Sequence, residues 1–321
     1  MACGLRAYTR AINHKLRKRF APYCVCVGVV VVLVTYFILM QPEPPPPDTH
    51  SQPVFSLEWP GAKGEESHPG LPTLYIITPT YKRPEQIPEL TRLSQTLMHV
   101  PKLHWLVADD ATQLNQDVVD YLKHTGLPFT YMLTPMPERF KRQWFGMLPK
   151  GVANRNGAIA WLRKHASGGV LYMADDDNTY DLRIFKEMRH TRKVSMFPVG
   201  LVTKTGLSSP VLQNGRWVDW FDGWIVDRTF PVDMAGFAVS VPFLLSVPDA
   251  GMPYIPGYEE TGFLNSLHVT VNDIEFLASN CTKIYVWHTR TEKNHPSTRD
   301  ILDKKYDGTN LRQLQKGMII K

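Results

Sequence analysis

Cysteine is too scarce here to staple a fold. Of the four, Cys3, Cys24 and Cys26 sit at the start of the chain, and only Cys281 lies beyond residue 40. No disulfide can therefore close within the region after residue 40, whose core must hold itself together. The sequence has no glycine-rich lysine loop for phosphates, no Gly-x-Gly-x-x-Gly fingerprint and no internal repeat. A basic surplus is missing too, despite a formal net charge of +6. Residues 1–19 hold Arg6, Arg10, Lys15, Arg17, Lys18 and Arg19 with no acid, so the remaining chain is formally neutral. A nucleic-acid interface has nothing to rest on.

Charge is also absent from Phe20 to Met40, and that absence is informative. About 20 apolar residues at 1.5 Å each span a hydrocarbon core of about 30 Å. The run is longer than the apolar region of a cleaved signal peptide and lacks a small-residue cleavage site. Lys and Arg on its amino side place the N-terminus in the cytosol. The reading is a cytoplasmic tail (1–19), a type II signal anchor (20–40), and a luminal or outer remainder. Residues 41–71, with Pro42, Pro44, Pro45, Pro46, Pro47, Pro53, Pro60 and Pro69, read as an extended stem.

Beyond the stem, apolar runs alternate with helical spacing. Leu74–Thr78, His104–Ala108, Phe129–Leu133 and Val170–Met173 predict strands. Ile87, Leu90, Leu93 and Leu97, then Val118, Val119 and Leu122, then Ala153–Lys164 predict helices. The fold class is α/β, a mostly parallel sheet covered on both faces by helices. Asp109-Asp110 and Asp175-Asp176-Asp177 both end predicted strands and so share one sheet edge, where ligands bind in such folds. Three adjacent carboxylates repel one another, and a divalent cation carrying a phosphate ester is the obvious countercharge. The alternative is a solvated acidic turn capping a helix. From Met196 the chain grows irregular, with Trp217, Trp220 and Trp224 among Asp219, Asp222, Asp227 and Arg228. That composition fits a sugar-binding cleft or ordinary core aromatics. Asn280-Cys281-Thr282 is a glycosylation sequon at Asn280.

Five motifs occur in one order: Thr78-Pro79-Thr80-Tyr81, Leu103-His104-Trp105-Leu106, Asp175 through Tyr180, Pro231 through Ala238, and Val286 through Lys293. Together they resemble the Golgi β1,3-glucuronyltransferases over about residues 72–293, with matching anchor and stem. The resemblance implies a single nucleotide-sugar transferase domain of the A type over 72–321. About 72–195 would form the UDP-binding half and about 196–321 the acceptor half. It implies inverting transfer of glucuronic acid from UDP-glucuronate, with Mn²⁺, to the 3-OH of a terminal galactose. The nearest acceptor is Galβ1-3Galβ1-4Xyl on a proteoglycan core protein, with N-acetyllactosamine on glycoproteins as the alternative. A Golgi membrane location and a homodimer are likewise implied. A different class, a luminal glycan-binding protein without turnover, is disfavoured because a lectin has no use for a diphosphate site.

Residue by residue, the resemblance puts Tyr81 against the uracil with Asp110 at its edge, Arg155 on the nucleotide and Asp175 on the ribose. Asp176 and Asp177 would hold the metal, Asp177 most directly. His288 and Arg290 would meet the diphosphate and the sugar carboxylate. Trp224, Arg228 and Asp233 would line the sugar and acceptor cleft, and Glu260 would be the catalytic base, ahead of its neighbour Glu259. An inverting displacement needs such a carboxylate within reach of the attacking hydroxyl. Two departures stand out. Lys150 replaces an arginine near the nucleotide, keeping charge without its bidentate geometry. Thr203-Lys204-Thr205-Gly206-Leu207-Ser208 replaces a glycine pair and an acceptor-touching glutamate, and Ser208 cannot stand in for a carboxylate.

Overall fold

Five residues of the expected stem are a strand. Phe55–Trp59 (β1) pairs antiparallel along its whole length with Phe129–Leu133, one of the strands read from the sequence. The spacer reading is thus corrected over this stretch, where Leu57 and Trp59 pack against the core. In this computed structural model the described residues are 52–61, 70–141, 147–224, 228–292, 304–311 and 314. The expected tail and anchor (1–40), with 41–51 and 62–69 of the stem, lie outside them. Among the described residues no helix is long and apolar enough to cross a membrane.

Leu74–Thr80 (β2), Gln86–Leu97 (α1), Leu103–Asp109 (β3), Gln116–Thr125 (α2), Phe129–Leu133 (β4), Val152–His165 (α3) and Val170–Met173 (β5) follow the predicted alternation closely. Strands β4-β3-β2-β5 are mutually parallel. Successive residues point to opposite faces, so Ile76 joins one core cluster and Ile77 the other. Leu90, Leu93, Val118 and Leu122 of α1 and α2 cover the first face, and Ile159 and Leu162 of α3 the second. Each such buried aliphatic contributes about 1.5–3 kcal/mol. Trp105 is fully buried and satisfies its indole N–H on Thr78 Oγ1 at 2.9 Å.

The remainder departs from a mostly parallel sheet. Thr179–Tyr180 (β6), Leu182–Met188 (α4), Val194–Met196 (β7), Val199–Gly200 (β8), Leu207–Gln213 (β9), Arg216–Phe221 (β10), Phe237–Ser240 (β11), Val241–Ser246 (α5), Glu259–Ser266 (α6), Ile274–Phe276 (β12) and Val286–Trp287 (β13) complete it. The main sheet has eight strands in the order β1-β4-β3-β2-β5-β11-β7-β12, with β11 antiparallel to both neighbours. A second sheet, β10-β9-β8-β13-β6, was not foreseen. Strands from both sides of residue 195 enter each sheet, so the two expected halves share their framework.

Because β1 closes the edge of the main sheet, a chain beginning at residue 72 should be less stable than one beginning at residue 52. Losing the ladder and the half-buried Leu57 and Trp59 costs on the order of 2–3 kcal/mol. Thermal melts of the two chains should differ by several degrees, and coincident melts would mean that β1 contributes nothing.

Candidate active site

Parallel strands bring the ends of β2, β3 and β5 to one edge. Thr80 pairs in register with Asp109, and Ile77 with Met173, just before the aspartate run. Asp109 does not face the ligand side as the sequence implied. It is fully buried, takes the Tyr131 hydroxyl at 2.7 Å and serves as an interior anchor. Asp110 is exposed, and its Oδ1 accepts the Met136 amide at 2.8 Å. Tyr81 presents a ring that is 46% exposed, a fit platform for a planar base.

The three aspartates are sorted by their partners. Asp175 Oδ1 takes Arg155 Nη2 at 2.5 Å, and Arg155 is held in the buried first turn of α3. Asp176 is buried, with Oδ2 accepting from Thr80 Oγ1 at 2.9 Å and Arg83 Nη2 at 2.7 Å. Burial nevertheless pushes its carboxyl up to about 6. The half-buried Asp177 has no ion pair with any described residue, and burial followed by the nearby Asp175 raises its pKa. Arginine thus supplies countercharge to Asp175 and Asp176, and Asp177 alone of the three has no cationic partner among the described residues. Among the described residues no three His, Cys, Asp or Glu side chains converge as a ready cage. One carboxylate plus phosphate oxygens and water is how a hard divalent cation is held with a nucleotide, so the donor set fits Mn²⁺ with its substrate.

Strand β13 completes the site. Its antiparallel register on β6, Trp287 against Thr179, sets the next residues beside the aspartate turn, where Thr289 Oγ1 donates to the Asp177 carbonyl. His288 Nδ1 lies 2.7 Å from Asp233 Oδ2, and this contact raises the histidine pKa. A residue expected on the donor side and one expected in the acceptor cleft are thus one pair. Arg290 is exposed on the same segment.

A cavity of about 410 Å³ opens here, lined by Lys150, Thr203, Asp222, Trp224, Arg228, Asp233, Glu259, Glu260 and His288 among others. The Arg228 side chain is buried, its Nη2 on Asp222 Oδ1 at 2.7 Å and its Nη1 3.6 Å from Glu260 Oε2. At that distance Arg228 orients Glu260 without closing a hydrogen bond, which leaves the carboxylate open to another proton donor. Glu260 is the second residue of α6, and its side chain is 17% exposed. Burial first, then Glu259, pushes its carboxyl up to about 8 against the opposing pull of Arg228. Glu259 lines the same cavity and is also raised, chiefly by burial.

Trp224 alone of the three tryptophans reaches the cavity. Trp217 and Trp220 pack on each other at 5.5 Å, and Trp220 on Phe230, as core aromatics do. Ser208, near the start of β9, is buried and accepts the Asp233 amide at 3.0 Å. Lys204 holds a left-handed φ of 72°, a glycine-like position, with its ammonium 5.8 Å from the Trp224 ring centre. Asn280 is exposed in a turn whose φ is 57°. Asp222 and Thr203, which the sequence offered only within longer stretches, line the cavity. Arg83 was missed, and only its proximity to Tyr81 could have flagged it.

The glycosyltransferase family 43 model matches residues 93–292. The galactosylgalactosylxylosylprotein 3-beta-glucuronosyltransferase P of Drosophila melanogaster is 54% identical over 77% of this chain and 52% of its own length. The S enzyme of the same fly is 51% identical over 72% of this chain and 56% of its own. The chain thus spans about half the length of these two relatives. Enzyme 2 of that name from Mus musculus is 48% identical over 71% of this chain and 72% of its own length. Among solved structures, S. aureus TarS 1–349 with UDP-GlcNAc aligns over 71% of this chain and 61% of its own at 17% identity, TM-score 0.42, too loose a likeness to argue from. A model match across well over half the chain, with relatives at 48–54% identity, makes this chain a member of glycosyltransferase family 43.

Proposed function

We propose that this chain is an inverting glucuronosyltransferase that moves glucuronic acid from UDP-glucuronate to the 3-OH of a terminal galactose, on a domain of the A type. The observation that carries the reading is convergence: Glu260, Arg228, Trp224, Asp233 and His288 line one cavity, with the aspartate turn beside it. The relatives' shared name supplies the acceptor class, a galactosylgalactosylxylosyl unit on protein. Tyr81, Asp110, Arg155 and Asp175 would hold the nucleotide, and His288 with Arg290 the diphosphate and sugar carboxylate. Asp177 would hold Mn²⁺, while Asp176 braces the turn from behind. When bound, the cation would neutralise charge growing on the departing diphosphate. In a single displacement the acceptor oxygen bonds to the sugar C1, the C1–O bond to UDP breaks, and the hydroxyl proton passes to Glu260.

The proposal extends to a Golgi type II topology anchored by residues 20–40, to a homodimer and to a glycan on Asn280, all as the family resemblance and the sequon imply. The missing carboxylate at Ser208 favours a second reading, a broader acceptor range that includes N-acetyllactosamine. Assaying the chain with Mn²⁺, UDP-glucuronate and either Galβ1-3Gal or N-acetyllactosamine separates the two. Transfer to the first alone supports linkage-region synthesis, transfer to both supports the broad enzyme, and transfer to neither overturns the proposal. Asp177→Asn should weaken Mn²⁺-dependent UDP binding at least tenfold by titration calorimetry, because the free carboxylate is lost. Unchanged binding would make Asp177 structural.

A further inference from the structure

We infer that Arg83 is the positioning residue that couples the base platform to the aspartate turn. It was not among the expected site residues, and its role rests on the donor reading above. Arg83 lies in the short link between β2 and α1. Its side chain is only 11% exposed. Three partners fix the guanidinium. Nη2 reaches Asp176 Oδ2 at 2.7 Å and also pairs with Glu89 of α1, whose side chain is 2% exposed. Nη1 donates to the Tyr81 carbonyl at 3.2 Å. The guanidinium Cζ also sits 4.4 Å from the centre of the Tyr81 ring, over one face.

Each contact uses a property that lysine lacks. A planar fork can bond two acceptors at fixed angles while stacking on an aromatic face, whereas an ammonium is a single point charge. One face of the Tyr81 ring is therefore held by Arg83, which leaves the other for the uracil. Through Asp176 the same cation fixes the turn that presents Asp175 and Asp177. Arg83 touches neither donor nor acceptor in this scheme. It sets the distance between the base-binding and diphosphate-binding ends of one nucleotide.

The scheme makes donor affinity the sensitive quantity. In the full-length chain, Arg83→Met should raise the KM for UDP-glucuronate and the Kd for UDP with Mn²⁺ by tenfold or more. At saturating donor kcat should change less than threefold, and the acceptor KM should hold. Arg83→Lys should restore thermal stability while keeping at least a threefold donor defect, because charge returns without the fork. It also serves as the test if Arg83→Met fails to fold. The Tyr81→Ala defect should shrink in the Arg83→Met background, since both changes remove one platform. A donor KM within twofold of wild type in both Arg83 variants would overturn the assignment, and so would full rescue by lysine. Wild-type protein that binds no UDP would instead bring down the donor reading itself.

Discussion

Glu260→Gln should abolish transfer while making the protein more stable. Loss of the base removes about 10²–10⁴ in rate, so kcat should fall by about a thousandfold while UDP with Mn²⁺ still binds. The stability gain follows from the same burial. The carboxyl is pushed from its ordinary 4.5 up to about 8 in the fold. Below about 4.5 both states hold the proton and nothing is lost. As pH rises from there to about 8 the unfolded chain ionises freely and the fold resists, so native stability declines through that window. At pH 7 the disadvantage is on the order of 3 kcal/mol, since each tenfold difference in proton affinity between the two states is worth about 1.4 kcal/mol. A neutral glutamine escapes it, so the variant should melt higher than wild type at pH 7 and equally at pH 4. In the wild-type enzyme kcat/KM should climb with pH to a plateau above about 8, as the base loses its proton. Glu259→Gln is the control, since its carboxyl lies in the same cavity without the Arg228 contact. A dead Glu259→Gln beside an active Glu260→Gln would move the base by one residue.

The contrast between these neighbours shows where sequence reading runs out. Buried strands β2 to β5 were legible because each is an apolar run of four to seven residues bounded by polar turns. The second sheet was not, because β6, β8 and β13 are two-residue strands in which no period can register. β1 was hidden by composition, its Phe-Ser-Leu-Glu-Trp alternation lying between prolines that mark a spacer. The aspartate triplet stood out in the sequence because three adjacent carboxylates repel one another. Its two arginine partners come from distant segments, Arg83 at 93 residues' separation from Asp176 and Arg155 at 20 from Asp175. Charge repulsion is visible in a linear sequence, but the identity of the neutralising group is a property of the fold. For the same reason Asp233 was assigned to the acceptor cleft and His288 to the donor, with nothing in the chain to say that they touch.

That contact sets the second large effect. Asp233 is held at three points: Oδ1 takes the Ala235 amide at 3.0 Å, its own amide donates to Ser208 Oγ at 3.0 Å, and Oδ2 meets His288 Nδ1 at 2.7 Å. A carboxylate fixed there keeps the imidazole protonated beyond its ordinary range, and the ring's other N–H would then donate to a phosphate oxygen. Asp233→Asn preserves size and the Ala235 contact but removes the charge, so the His288 pKa should fall back toward 6.5 or below. Donor binding in the variant should then weaken at a lower pH than it does in wild type. At pH 7.5 the KM for UDP-glucuronate should rise at least tenfold, and much of that loss should return near pH 6 as the imidazole regains its proton. UDP titration with Mn²⁺ at the two pH values reads the effect free of the Glu260 titration, which governs transfer rather than binding. A flat pH dependence with unchanged donor KM would show that the pair does not act on the diphosphate. A fall in kcat or a rise in acceptor KM, with donor binding intact, would return Asp233 to the acceptor role that its sequence context implied. The pairing makes these outcomes separable, because one carboxylate cannot hold the imidazolium at 2.7 Å and give the same oxygen to a sugar hydroxyl at full strength.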